Sequence, residues 1–395
     1  MKTISFVIPS RNNLSYLKWS YNSIRKNLGY RHEILLGDDF SSDGTWEWLE
    51  EIKQKDINVQ IFKNEGPERK GIVYWYDYLC EKSSNDIVMF FHADMYACPG
   101  MDTAILDKLT KGTVVTATRI EPPLHPEGPE KILKDFGIEP ESFDEQGLIS
   151  WLNEDRPEKY TRGIFAPWAI HKEDYWKVGG HDKLFAPQSK EDSDIFNRFH
   201  LVGLNFVQTW QGLVYHMTSR GSRFNPYSGG APGKDSPEWI HTTTKNMRNF
   251  IRKWGTPVLH DEYMKPIVKP KYNVGFVVEN CGSEMIKALE PWCSDIYGDW
   301  VGHKGYHINK YIEEEQPNTD YKLSKKIHTQ HTNPTNDIII RFDCDRLTDA
   351  SWNILQNIAV IVADSGEIGI MALDIFEFEI RNLKTYENQL IITKK

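Results

Sequence analysis

No apolar run in this chain is long enough to cross a bilayer. The longest, such as Ile87–Phe91 and Ile358–Ala363, fall far short of the roughly 20 residues a helical span needs. The first residues, MKTISFVIPS, pass directly into a strand pattern, so no secretory leader is expected. Positive charge is not in excess: 47 Lys and Arg against 56 Asp and Glu leave a net charge of −9. A general nucleic-acid binder needs a basic surface and is excluded, so an anionic ligand must meet a local cationic patch or a metal. Cysteine is scarce. Cys80, Cys98, Cys281, Cys293 and Cys344 form no CxxC pair and are odd in number. Buried free thiols are therefore expected, rather than a disulfide or zinc framework. The turn after the first strand, PSRNNLS, lacks a glycine-rich phosphate cradle, which argues against a nucleotidyltransferase. No internal repeat is visible.

What remains is an ordinary globular composition, 39% apolar and 26% charged, over 395 residues, which is room for two domains. The first 120 residues alternate in period. Ile4–Ile8, Glu33–Gly37, Val59–Phe62, Ile87–Phe91 and Val114–Thr118 read as strands. Between them, Leu14, Leu17, Tyr21, Ile24 and Leu28, then Trp46, Leu49 and Ile52, then Ile72, Tyr76 and Leu79 recur at helical spacing. Strand–helix alternation with short connections predicts a mostly parallel, doubly wound sheet, with its ligand crevice beyond the C-terminal strand tips.

From 121 to 162 the pattern dissolves into an acidic stretch broken by six prolines, read as a mobile segment with a short helix near Leu148–Asn153. Regular structure resumes at Ile164–Ile170, with helices at Lys172–Val178 and Glu191–His200 and a strand at Asn205–Trp210. Residues 221–237 read as a flexible loop before a helix over Pro237–Trp254. The expected division is a first domain over 1–255, a linker over 256–271, and an α/β sandwich over 272–395. In the last domain, Tyr272–Val278, a strand near 306–312, Asp337–Phe342 and the apolar stretches Ala359–Ala363 and Ile370–Ile380 are expected, with helices at 283–292 and 348–357.

Several tips carry polar residues whose simplest explanation is structural. Asp38-Asp39 opens GDDFSSDGT, where a turn and an N-cap account for part of the acidity. Two adjacent carboxylates repel each other, and a carboxylate there could accept from a base edge or ribose. Glu191, Asp192 and Asp194 begin a helix, where the macrodipole favours acids, yet deprotonating a hydroxyl also needs a placed carboxylate. His216 precedes Arg220 and Arg223 in a glycine-rich loop, a candidate diphosphate clamp. His92-Ala93-Asp94 ends an apolar strand, and its two polar residues share one face of an extended chain. Asp343, Asp345 and Asp349 read as a solvated acidic loop.

The joint order of these motifs carries more than any one of them. FVIPSRNN, LLGDDFSSDGTWEWL, NEGPERKGIVYWYDYL and IVMFFHADMYACPG resemble the nucleotide-binding half of a family-2 glycosyltransferase of GT-A fold. VGGHDKLF, KEDSDIFNRF, VYHM and KNMRNFIRKWG resemble its acceptor half, so that the resemblance spans roughly residues 1–255. It implies a GT-A-type, Rossmann-like, doubly wound mixed sheet. Pro9 and Arg11 would meet the base, Asp39 with Asp38 would hold it, and Asn64 and Arg69 would contact base or phosphate. Asp94 would ligate a divalent metal as the last residue of a DXD motif, and His216 would complete that shell. Asp192 would be the general base and Glu191 would bind acceptor.

His92 stands where the family places the first Asp of DXD. Since imidazole suits manganese-like metals better than magnesium, Mn²⁺ is expected over Mg²⁺. His92 and Ala93 would lie against the nucleotide sugar. The resemblance implies transfer, with inversion, from a nucleoside-diphosphate donor, a UDP-sugar for preference, to a glycan, lipid-linked or protein-linked acceptor. Cytoplasmic use is expected, with room for peripheral contact at a membrane. The reading from another class is an inactive sugar-nucleotide-binding module, which His92 supports and an intact Asp192 opposes.

Overall fold

The computed structural model describes residues 2–300 and 303–393, and for 303–307 the backbone only. The chain forms two compact units. The first holds the residues up to Thr243, His260–Ile267 and the stretch from Ile392. The second holds Thr244–Leu259 and Val268–Ile391.

In the first unit β1 (Ser5–Ser10), α1 (Leu14–Asn27), β2 (Glu33–Asp38), α2 (Thr45–Lys55), β3 (Val59–Lys63), α3 (Gly71–Lys82) and β4 (Ile87–Phe90) follow in strict alternation. Then come β5 (Met95–Ala97), α4 (Met101–Lys108), β6 (Thr113–Glu121), β7 (Ile132–Leu133), α5 (Glu145–Glu154) and β8 (Tyr160–Thr161). β9 (Trp168–His171), α6 (Lys172–Lys177), α7 (Glu191–Leu201) and β10 (Asn205–His216) complete the series, and α8 (Pro237–Trp254) follows, its residues from Thr244 on belonging to the second unit. The sheet order is β3-β2-β1-β4-β9-β6-β10-β5. β3, β2, β1 and β4 are parallel, and β6 and β10 are parallel to each other. β9 enters antiparallel between β4 and β6, and β5 pairs antiparallel with β10. This is the mixed, doubly wound sheet expected of the GT-A-type reading. β4 is buried at every residue, as a strand covered on both faces must be.

The segment over 121–162 is tied to the sheet. The Tyr215 hydroxyl accepts from Phe136 N–H at 3.0 Å and donates to the Gly137 carbonyl at 2.7 Å. Phe136, Leu148 and Leu152 pack with Tyr96 and Tyr215 in one apolar cluster. The strand expected over Asn205–Trp210 runs on to His216 through an irregularity between Thr209 and Leu213, which carries it to the site.

The second unit is also α/β. Its elements are β11 (Val274–Glu279), α9 (Ser283–Leu289), β12 (Asp295–Gly298), α10 (His303–Glu315), α11 (Leu323–Lys326), β13 (Ile327–Thr329), β14 (Ile338–Asp343), α12 (Asp349–Gln356), α13 (Ile358–Ser365), β15 (Gly369–Leu373) and β16 (Phe376–Ile380). Its sheet order is β13-β12-β11-β14-β16-β15, with β16 antiparallel to both of its neighbours, β14 and β15. The strand expected near 306–312 is instead α10. Ile308 and Tyr311, three apart, both enter the core, a helical and not an alternating arrangement. Ala359–Ala363 likewise lies within α13.

The start of β1 rests on His32. Nδ1 of this buried imidazole accepts from Ile4 N–H at 3.1 Å, and Nε2 lies 2.8 Å from Asp102. A ring nitrogen that accepts cannot also carry a proton, and burial, with Arg31 and Arg25 nearby, lowers the His32 pKa to about 4. Between the ordinary value near 6.5 and about 4 the unfolded chain takes up a proton that the folded chain refuses. Stability should therefore be lost as pH falls through that window, by at most about 1.4 kcal/mol per pH unit from this group. In urea titrations, His32→Gln should be less stable at pH 7 and show a shallower loss between pH 6.5 and 4. An unchanged slope would remove His32 as the source.

Candidate active site

One cavity of about 360 Å³ opens at the C-terminal tips of the parallel strands, a volume suited to a small-molecule ligand. Its wall includes Pro9 near the end of β1 and Arg11 just after it, Asp39 after β2, Arg69 before α3, and His92, Ala93 and Asp94 after β4. Glu191 and Asp192 reach it from the first turn of α7, and His216 from the last residue of β10. Ten of the expected residues are thus brought together from segments far apart in sequence.

Asp94 is buried yet well supplied with partners. One oxygen accepts from Arg220 N–H at 2.7 Å, and the other lies 3.6 Å from His216 Nε2. Burial pushes its pKa up, but His216 and His92 outweigh that and hold it well below the usual carboxylate range. His216 is gripped on its other side by Glu121, whose Oε1 lies 2.8 Å from Nδ1. Burial works against the imidazolium, yet Asp94 and Glu121 together raise His216 to about 9. His92 is half-buried, and its pKa is lowered, chiefly by burial.

One ligand atom from each of His92, Asp94 and His216 falls within 4.8 Å of the others. Two imidazoles and a carboxylate are a donor set suited to a divalent transition metal, so these residues fit one. A metal there would displace the Nε2 proton of His216.

The three acids of α7 divide their work. Asp194 is fully buried and paired with Arg198 at 2.7 Å. Arg198 also donates to the carbonyls of Val178 and Gly180, so that Asp194 anchors the helix to the Gly179-Gly180 turn. Glu191 is buried, and one of its oxygens has no hydrogen-bond partner. Burial, and then the Asp192 charge, raise its pKa and keep its proton on. Asp192 is half-buried at the cavity wall.

Asp39 does structural work at the cavity edge. Its carboxylate accepts from Asn64 Nδ2 at 2.9 Å and from the N–H groups of Lys70 at 3.0 Å and Gly71 at 2.8 Å, which pins the start of α3. Asn64 is occupied by Asp39, the Glu68 carbonyl and Gly66 N–H and does not line the cavity. Asp38 does not line it either; it turns the chain by accepting from Ser41 N–H at 3.2 Å.

Arg220 and Arg223, expected as a diphosphate clamp, are committed elsewhere. The Arg220 guanidinium donates to the carbonyls of Met217 and Ile138, and Arg223 pairs with Asp235 at 2.8 Å. The cavity's cations are Arg11, Arg69, Arg119 and Lys190. Arg69 reaches Gln188 at 2.8 Å and pairs with Glu238, which also lies 3.5 Å from Arg11. Arg119 sits near the end of β6, beyond the apolar run Val114–Thr118, so periodicity gave no reason to single it out. Its one signal was position: the first residue past an expected strand end on the ligand side of a parallel sheet.

Gly71 holds the wall closed. Its φ is +80°, and a Cβ there would stand 2.3 Å from the Pro187 carbonyl oxygen. Gly112 has the same φ with nothing within 4 Å. Gly112→Ala should therefore cost only the left-handed penalty of about 1–2 kcal/mol. Gly71→Ala should cost clearly more in urea denaturation and also weaken nucleotide binding. Equal losses would show that the close approach is unimportant.

Residues 5–152 match the family model described as glycosyl transferase family 2. No curated protein matches the chain. Among solved structures, GalNAc-T7 with UDP, GalNAc and Mn²⁺ is 17% identical, covers 67% of this chain and 49% of that one, and has a TM-score of 0.46. The Pyrobaculum calidifontis mannosyltransferase PcManGT with GDP-Man and Mn²⁺ is 13% identical, covers 54% and 56%, and has a TM-score of 0.39. S. aureus TarS 1-349 with UDP-GlcNAc is 16% identical, covers 55% and 61%, and also has a TM-score of 0.39. The chain spans about half the length of the first of these. The match to the glycosyl transferase family 2 model thus runs from β1 into α5 and takes in less than half of the 395 residues.

Proposed function

We propose that the first unit transfers a sugar from a nucleoside-diphosphate donor, a UDP-sugar for preference, to an acceptor hydroxyl with inversion at the anomeric carbon. The observation that carries this reading is a single cavity holding both a His-Asp-His metal group and a half-buried carboxylate, Asp192. The leaving nucleoside diphosphate concentrates negative charge, and a chain of net charge −9 must offset it locally. His92, Asp94 and His216 would hold a divalent metal, Mn²⁺ over Mg²⁺ on the strength of two imidazoles. When bound, the metal supplies Lewis-acid stabilisation of the diphosphate.

The chain's own residues do the rest. Arg11, Arg69 and Arg119 offer positive charge at the same cavity wall. Asp192 takes the proton of the acceptor hydroxyl. Glu191 is unsuited to that role because burial and its neighbour keep its own proton in place, and it serves acceptor binding. A neutral Glu191 can donate a hydrogen bond to an acceptor oxygen. The acceptor class is a glycan, free or carried on lipid or protein.

Two outcomes test this. Asp192→Asn should keep the fold and donor affinity but lower transfer by about 10²–10⁴-fold, the range a general base contributes. Undiminished turnover would remove Asp192 as base. Asp94→Ala should abolish Mn²⁺-dependent binding of UDP in calorimetry, and equal binding with and without chelator in the unaltered protein would sink the metal assignment. A thermal-shift panel of sugar nucleotides with Mn²⁺ would identify the donor.

A further inference from the structure

We propose that Glu121 is a positioning residue for the divalent-cation corner, holding His216 by Nδ1 so that Nε2 faces the cation. The inference rests on the reading of His92, Asp94 and His216 as the metal-holding group.

Strand pairing places Glu121 there. β6 and β10 run parallel with Tyr215 opposite Ile120, so the next residue of each strand, His216 and Glu121, stand side by side. Their contact is short, 2.8 Å from Oε1 to Nδ1. A carboxylate flanked by the Lys131 ammonium and the Arg119 guanidinium serves as a hydrogen-bond acceptor. Nδ1 must therefore carry the hydrogen. Nε2, 3.6 Å from Asp94, is the nitrogen left to ligate.

Glu121 is itself immobilised, 3.2 Å from Lys131 Nζ and 3.4 Å from Arg119 Nε. It is 1% exposed and forms no part of the cavity wall, which does include His216 and Arg119. A group so placed acts on a ligand only through its neighbours. Carboxylates in this relation to a ligating imidazole fix its tautomer and orientation and raise its basicity.

The measurement is Mn²⁺ affinity, read by electron paramagnetic resonance of free Mn²⁺ with UDP present, together with melting curves without metal. Glu121→Gln should weaken Mn²⁺ binding by about 10–100-fold. Lys131→Gln disturbs the same buried cluster but leaves the contact to His216, and should change affinity by clearly less than about tenfold, the lower edge of that scale. Glu121→Asp keeps the charge and draws it back from Nδ1. It should fold even if Glu121→Gln does not, and show part of the weakening. Unaltered affinity in the folded Glu121 variants would overturn the proposal. Equal weakening by Lys131→Gln would overturn it too, by showing that the cluster matters only for packing. If the unaltered protein takes up no Mn²⁺, the metal reading falls and this inference with it. Uptake that Glu121 does not influence would overturn this inference alone.

Discussion

An ionised carboxylate sealed away from water needs a cation within reach, and at the centre of this site two carboxylates share one imidazole. Asp94 approaches one nitrogen of His216 and Glu121 the other. Removing either acid would leave the others with a charge they could not spread. The arrangement requires three chain segments to end at one point: β4 with its following turn, β6, and β10. Much of the sheet's order serves this convergence. β5 turns the chain after Asp94 back along the end of β10, and β6 lies on the opposite side of β10.

Around this centre an acidic chain assembles a local excess of positive charge. Arg11, Arg69 and Arg119 come from three separate strand tips or their following loops, and none is adjacent to another in sequence. Such convergence lets a protein of net charge −9 offer an anion a favourable place without becoming a general polyanion binder. The acids respond to depth. Asp194 is fully buried and structural, Glu191 is buried with its pKa raised, and Asp192 faces the cavity half-exposed. Three carboxylates within four residues thus meet three different environments through burial and partners alone.

The parts of the fold legible beforehand were those where local pattern and tertiary demand agree. β1 to β4 are short apolar runs between amphipathic helices, and each lay within a residue or two of its expected place. The residues at their tips were recognisable because a polar side chain ending an apolar run needs a reason. What escaped notice depended on contacts remote in sequence. β5 is three residues long and exists because β10 pairs with it. Glu121 sits at the start of a proline-rich stretch and has significance only once β10 brings His216 beside it. Arg220 and Arg223 looked suited to a diphosphate because a sequence shows charge but not the carbonyls and carboxylates that claim it. α10 was misread because tyrosine and isoleucine favour strands, while the buried spacing of Ile308 and Tyr311 is helical.

Successive residues of a strand point to opposite faces, and the last two of β10 use both. Tyr215 turns into the apolar cluster and holds the 136–137 backbone, while His216 turns into the cavity. A slip of one residue in this strand would exchange the two, sending imidazole into a greasy pocket and phenol into a charged one. The alignment of β10 is therefore selected twice over, by opposing chemistries on neighbouring residues, and mispaired alternatives are penalised on both sides of the sheet at once.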